Sequence, residues 1–269
     1  MRSSQGPKAS DGSKQSRPMM ATRSIRDMTR LLTSGRLYLR PCGPTSRRAR
    51  TSLARRVSGS ARPRYHATVM PAPVQPEPLV LASASPRRAL LLADAGYRFV
   101  AVPSELLEPE PQHAGESPAS YAEAIAYFKA AGVGRQHPNA TILAADTMAV
   151  VGGEVLNKAG NRAEAERMLR LMLGTRHRVV TGVVLFDPAT GRRMLRHEVT
   201  TVQFRNVPDA VLNRYLDSGD WAGKAGAYGI QDCGDEFVES VEGSFSNVVG
   251  LPMELLARML AEWCRSRPA

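Results

Sequence analysis

Residues 79–96 read LVLASASPRRALLLADAG, and this stretch decides the class of fold. Leu79 to Ser83 is a short apolar run of buried-strand type, and it passes directly into a helix start. Ser85 supplies an N-cap hydroxyl, and Pro86 suits the first helical position, where its missing N–H would be unpaired anyway. The helix is expected to run to about Ala95 and to stop at Gly96. A strand feeding straight into a capped helix is the building unit of α/β proteins.

The same signals recur downstream. Arg98 to Pro103 reads as a second strand, followed by an acidic, proline-containing loop from Ser104 to Glu116. Ser117-Pro118 repeats the cap, and Tyr121, Ile125 and Phe128 recur at helical spacing through Gly132. Thr141 to Ala145 (TILAA) is a buried-strand candidate ending at Asp146-Thr147, after which Met148 to Val151 and Gly152-Gly153 read as a strand entering a tight hairpin. Asn161 with Glu164 resembles a capping box, and Ala165, Met168, Leu169 and Met172 form one apolar helix face. His177 to Phe186 and Met194 to Phe204, rich in Val and Thr, flank the turn sequence DPATG and predict a long antiparallel hairpin. A helix from Pro208 to Asp217, a glycine-rich loop through Gly234 and a last helix from Pro252 to Trp263 complete the chain. Strands and helices mix without strict alternation, so the expected architecture is α/β with a mixed sheet.

Charge divides the chain. Residues 1–70 hold 14 Arg and 2 Lys against Asp11 and Asp27, a local net of +14, although the whole chain carries only +11. Such a stretch buries too little apolar surface to offset the entropy of ordering, so 1–70 is expected to be a disordered basic extension. Its composition fits an organelle transit peptide and equally a start-site artefact or an extension upstream of Met70. Residues 71–78 (PAPVQPEP) carry four prolines and read as an extended linker, which leaves 79–269 as the folded domain. No run approaches the roughly 18 apolar residues of a membrane-spanning helix, and no signal-peptide pattern is present, so a cytoplasmic protein without a membrane partner is expected. Cys42, Cys233 and Cys264 are an odd number at long spacing, with no pattern for structural zinc.

The first unpaired amides of a helix attract anions, and Ser83, Ser85, Arg87 and Arg88 add donors and positive charge at one such end. Polyphosphate is the natural guest there; taken alone, the same residues also describe an ordinary capped helix. Asp146 at a strand end, beside Thr147, is placed to hold Mg²⁺ or to orient water, and Glu108 is a second candidate carboxylate. Lys129 and Lys158 matter only if they converge on the same place. The segment KAGAYGIQ, Lys224 to Gln231, suits a loop that closes on a ring and reads its edge with Gln231. The five histidines are isolated, and the common phosphate-loop, nucleophile-elbow and dinucleotide fingerprints are absent.

Four blocks in order, LASASPRR (81–88), AADTMAVVGGEVLNKAG (144–160), MLRLMLGTRHRVVTGV (168–183) and KAGAYGIQDCGDEFVESVEGSFSNVVGLP (224–252), resemble the Maf family of nucleoside triphosphate pyrophosphatases. The resemblance covers about residues 79–263. It implies a fold akin to the inosine triphosphate pyrophosphatases, with a mixed sheet, two lobes and a central cleft, often as a homodimer. It implies cleavage between the α and β phosphates of a nucleotide, with a divalent cation, Mg²⁺ or Mn²⁺. Carried over by motif, Asp146 would accept the proton of the attacking water, while Lys129 and Lys158 would neutralise developing charge. Ser83, Ser85, Arg87 and Arg88 would bind phosphate, and Glu108 with Asp146 would hold the metal. The subgroup resembled acts on dTTP and UTP, because Ser-Pro-Arg-Arg has no inserted Trp, Thr147 follows Asp146, and the late loop reads Tyr-Gly-Ile-Gln. Arg87, Thr147 and Gln231 are then the specificity positions. Leu106 and Leu107 stand where members often carry acidic residues, which leaves one carboxylate fewer. Residues 1–70 match nothing in the family, and their charge supports the alternative of a nucleic-acid-associated regulator whose folded domain senses nucleotides.

Overall fold

The computed structural model describes residues 73–105, 117–231 and 236–266; residues 1–70 and Glu108 lie outside them. In chain order the elements are β1 (Leu79–Leu81), α1 (Pro86–Asp94), β2 (Val100–Ala101), α2 (Pro118–Gly134), β3 (Thr141–Val151), β4 (Glu154–Leu156) and α3 (Arg162–Met172). There follow β5 (Arg176–Phe186), β6 (Arg193–Phe204), α4 (Asp209–Ser218), β7 (Val238–Glu242), α5 (Phe245–Val249) and α6 (Met253–Arg265). One mixed sheet runs β2-β1-β3-β5-β6-β7, with β4 paired to β3 off this path. The pairs β2/β1 and β1/β3 are parallel, and all others are antiparallel. The expected mixed α/β sheet is what forms.

Strand β3 differs from its expected form. Instead of stopping at Ala145 it runs through Asp146 and Thr147 without a break, because β5 pairs with it continuously from Ile142↔Phe186 to Val150↔Arg178. The opposite edge of β3 is interrupted. There β1 pairs with residues 141–143 and β4 with 149–151, so residues 144–148 are laddered only on the β5 side. The sheet is therefore split beside Asp146, not ended there, and the split opens the cleft.

Period-two alternation along β3 sorts its side chains between two faces. Ile142 and Ala144 pack with Ala126, Ala130 and Val133 of α2. Leu143 and Ala145 join a core with Leu92 of α1 and with Leu256, Leu260 and Trp263 of α6. Farther along that second face, Ala149 joins a separate core containing Leu156, Leu169, Met172, Phe204 and Phe237. These two cores are the two lobes, and the polar pair Thr147↔Thr181 interrupts them.

On the other face, helix α2 approaches the sheet at Gly182, the register partner of Asp146. A Cβ there would lie 2.4 Å from the carbonyl carbon of Ala122 and the nitrogen of Glu123. Only glycine lets the helix backbone come this close.

Most helix starts follow the sequence. The Ser117 side chain accepts from the Ser120 N–H, and Asn161 accepts from the Glu164 N–H at 2.9 Å. Glu164 reaches back to the Gly160 N–H at 2.7 Å, one residue outside the expected box. Ser85 occupies the N-cap of α1, but its side chain makes no cap bond; Ser83 Oγ instead accepts from the Ser85 N–H at 3.2 Å. The second strand is only Val100–Ala101. Residues 73–78 are tied to the folded unit, because Gln75 exchanges hydrogen bonds with the Arg98 backbone in both directions.

Gly182→Ala is expected to destabilise the protein by about 1–3 kcal/mol, the usual cost of overpacking. Urea denaturation measures it, and an unchanged midpoint would contradict the close approach of α2.

Candidate active site

The cleft between the two lobes has a volume of about 520 Å³. Nine of the residues expected from the sequence line it: Ser83, Ser85, Arg87, Arg88, Lys129, Asp146, Thr147, Lys158 and Gln231. Glu108, the tenth, lies outside the described residues. Because consecutive residues of a strand point to opposite faces, Asp146 and Thr147 face different neighbours at one point of the chain.

Asp146 faces α2. Lys129 Nζ, two turns after the close approach at Ala122, donates to Asp146 Oδ1 at 2.6 Å, and both side chains are nearly buried. A charge-assisted bond of this length fixes the carboxylate in a wall of the cleft. Thr147 faces the lobes. Its hydroxyl lies 2.9 Å from that of Thr181, accepts from Arg88 Nη2 at 3.0 Å and donates to the Gly250 carbonyl at 3.3 Å. Any contact of Thr147 with a ligand shares a hydroxyl that is already engaged.

Arg88 holds three segments together. Its Nε donates to the Gly250 carbonyl at 2.8 Å, its Nη1 to Ser83 Oγ at 3.1 Å and its Nη2 to Thr147. The planar fork thus joins the turn before α1, the middle of β3 and the turn after α5, a geometry that an ammonium could not reproduce. Arg87, half-buried, and the α1 N-terminus complete this side of the cleft.

The late loop is stitched down. Gly226 N–H donates to the Asn157 carbonyl at 3.0 Å, Tyr215 Oη donates to the Ala227 carbonyl at 3.2 Å, and Tyr228 Oη lies 2.9 Å from His177 Nε2. Ala227 has φ +59°, a left-handed conformation that non-glycine residues adopt when the surroundings impose it. His177, incidental in the sequence, is therefore an anchor under the cleft. Burial lowers its pKa to about 4 and raises that of Tyr228.

Sequence reasoning also passed over Thr181, Lys224 and Ser104. Thr181 was visible as the polar residue in the apolar run 179–184, and Lys224 opens the glycine-rich loop. Ser104 carries no sequence signal, yet its buried Oγ has no partner among the described residues and it lines the cleft.

The Maf-like protein family matches residues 78–263. The chain belongs to the Maf family. Its relatives include the dTTP/UTP pyrophosphatase of Pelotomaculum thermopropionicum, 40% identical over 185 residues, which span 69% of this chain and 96% of the relative. The dTTP/UTP pyrophosphatase of Paramagnetospirillum magneticum is 42% identical over 186 residues, 68% and 95% of the two chains. That of Rhodospirillum rubrum is 44% identical over 176 residues, 65% and 83%. The Maf domain therefore contains the whole cleft, and residues 1–70 fall outside the match. Among the described residues no helix is long and apolar enough to cross a membrane.

A neutral buried histidine ties stability to pH. His177 has a folded pKa below its unfolded value near 6.5, so its contribution is present above pH 6.5 and is lost as pH falls toward 4. That loss is on the order of 3 kcal/mol. His177→Gln, which does not titrate, is expected to flatten the urea midpoint between pH 6.5 and 4, whereas an equal slope in both proteins would contradict the assignment.

Proposed function

We propose that this Maf protein is a nucleoside triphosphate pyrophosphatase that hydrolyses dTTP and UTP to the monophosphate and pyrophosphate. The observation that carries the reading is a cleft with cationic groups on several walls and, among the described residues, one carboxylate, Asp146, bonded to a buried lysine. Relatives at about 40% identity over nearly their full length bear the name of that activity.

The roles follow from position. The α1 N-terminus, Ser83, Ser85 and Arg87 receive the phosphates through donors and positive charge that need no rearrangement. Arg88 keeps this corner in place. Asp146 accepts a proton from the attacking water as its oxygen joins phosphorus and the α–β bridging P–O bond breaks. Lys129 orients that carboxylate, and Lys158 stabilises charge that moves onto the departing pyrophosphate. Gln231, an amide at the exposed rim, reads the edge of the base, and Arg87 and Thr147 shape the same choice.

The described residues hold no group of three His, Cys, Asp or Glu placed to bind a metal ion, and Asp146 is the one carboxylate among them that lines the cleft. One carboxylate with phosphate oxygens and waters suits Mg²⁺, which rarely needs an all-protein cage. Asp146, with Glu108, would hold it or Mn²⁺. Bound there, the cation neutralises phosphate charge. The alternative of a nucleic-acid-associated regulator depends on residues 1–70, and no observation on the folded domain favours it.

Pyrophosphate release across dTTP, UTP, CTP, GTP, ATP and 7-methyl-GTP tests the reading. Preference for dTTP and UTP, lowered 10²–10⁴-fold by Asp146→Asn, is expected for a general base. Release that ignores Asp146, or none from any nucleotide, would overturn it. EDTA is expected to abolish turnover while leaving the thermal midpoint of the nucleotide-free protein unchanged, because the metal arrives with substrate. A lowered midpoint would instead indicate a resident metal.

A further inference from the structure

Uracil and thymine carry a carbonyl at ring position 4, an acceptor, where cytosine carries an amino group, a donor. An exposed amide such as Gln231 can turn either its oxygen or its NH₂ toward that edge, so by itself it does not tell the two kinds of base apart. Telling them apart takes a group whose hydrogen-bond polarity is fixed. A hydroxyl is ordinarily ambiguous too, with one proton and two lone pairs. Thr147, half-buried in the cleft wall, differs because its neighbours take up its accepting capacity.

Thr181 is fully buried on β5 opposite Thr147, and the two hydroxyls lie 2.9 Å apart. One of them supplies the proton of that bond. If Thr147 supplied it, the Thr181 proton would have to reach the Asn247 carbonyl at 3.5 Å, the limit of a hydrogen bond, and that carbonyl already accepts from the Gly250 N–H at 3.0 Å. If Thr181 supplies it, the buried hydroxyl is paired at a good distance and the Thr147 proton goes to the Gly250 carbonyl at 3.3 Å. The second arrangement makes the shorter bonds. In it, Thr147 Oγ1 accepts from Thr181 and from Arg88 Nη2 at 3.0 Å, which uses both lone pairs. Its own proton rests on the longest bond of the set and is the part of the hydroxyl left to exchange for a ligand acceptor. Thr147 therefore offers the cleft a donor and no acceptor.

We infer that Thr181 is a positioning residue for base selection: it locks Thr147 as a one-way hydrogen-bond donor, which meets the 4-carbonyl of uracil or thymine and turns away the amino group of cytosine. The inference rests on the pyrophosphatase reading, in which Thr147 shapes the choice of base, and adds the residue that sets the polarity of that contact. Two donors set face to face leave both unpaired, which is the strong form of discrimination.

In the full chain with Mg²⁺, the wild type is expected to prefer UTP over CTP by about tenfold or more in kcat/KM. Thr181→Val frees a lone pair on Thr147, which can then accept from cytosine while its proton stays on Gly250. The variant is expected to raise kcat/KM for CTP about tenfold and to leave UTP within about threefold. Thr181→Ser, which keeps the hydroxyl, is expected to restore the wild-type ratio. A merely structural threonine would lower both substrates together; that result, or an unchanged ratio in Thr181→Val, would overturn the inference. Should Thr181→Val fail to fold, the wild type still answers by calorimetry with UMP, CMP and the monophosphate of 2-pyrimidinone, whose ring has neither oxygen nor amine at position 4. A locked donor binds UMP tightest, the 2-pyrimidinone nucleotide next and CMP weakest. A hydroxyl free to turn would accept from the amino group and place CMP level with the 2-pyrimidinone nucleotide or above it, which overturns the inference. Wild-type protein that shows the locked order but hydrolyses no triphosphate would defeat the pyrophosphatase reading and leave the inference standing, whereas UTP hydrolysis without that order would overturn the inference alone.

Discussion

The unbroken ladder between β3 and β5 is what the rest of the structure depends on. It carries β3 across a place where its other edge has no strand, so the backbone stays extended while the sheet is split. Asp146 and Thr147 occupy that place, and the alternation of a strand sends one to each face. The first meets Lys129 from α2, and the second meets Thr181, Arg88 and Gly250 between the two cores. A carboxylate on a loop would have to be held by its own contacts. Here it is held by the whole sheet, which gives the positional accuracy that proton transfer requires.

Three features keep this arrangement closed. Gly182, opposite Asp146, has no side chain, so α2 lies close enough for Lys129 to reach the carboxylate. Arg88 draws the strand, the α1 turn and the α5–α6 turn to a single guanidinium. Asn247, fully buried on α5, adds bonds to the Val179 carbonyl and Thr200 Oγ1, and so ties that short helix to β5 and β6. The cleft is thus preorganised on its β1 side, its floor and its late loop, which favours electrostatic stabilisation without rearrangement.

Much of this was legible in the sequence because local signals and global fold agree. The caps at Ser117 and Asn161, the apolar face of α3 and the Val/Thr-rich hairpin all formed where their patterns placed them. Nine of ten expected site residues meet in one cleft: eight lie in three of the four blocks, and Lys129 is delivered by α2, which packs on the sheet at Gly182. What could not be read depended on long-range contacts. Nothing local says that β3 continues past Asp146, since the cause is β5 some forty residues on. Strand β7, with its polar VESVE pattern, and the five-residue α5 are too short or too polar to show periodicity. His177 looked incidental because its partner, Tyr228, lies 51 residues away. Arg88 read as a phosphate ligand because its three protein acceptors are likewise distant or carry no local signature.

The central claim is that Asp146 and Lys129 work as one unit in the split of the sheet. A double-mutant cycle on kcat/KM for dTTP, with Asp146→Asn, Lys129→Met and the pair together, tests it most directly. The account predicts strong non-additivity, with the double variant scarcely slower than Asp146→Asn alone, because a lysine that orients the carboxylate has nothing left to orient. Losses that simply multiply would show that the two side chains act independently and would contradict it.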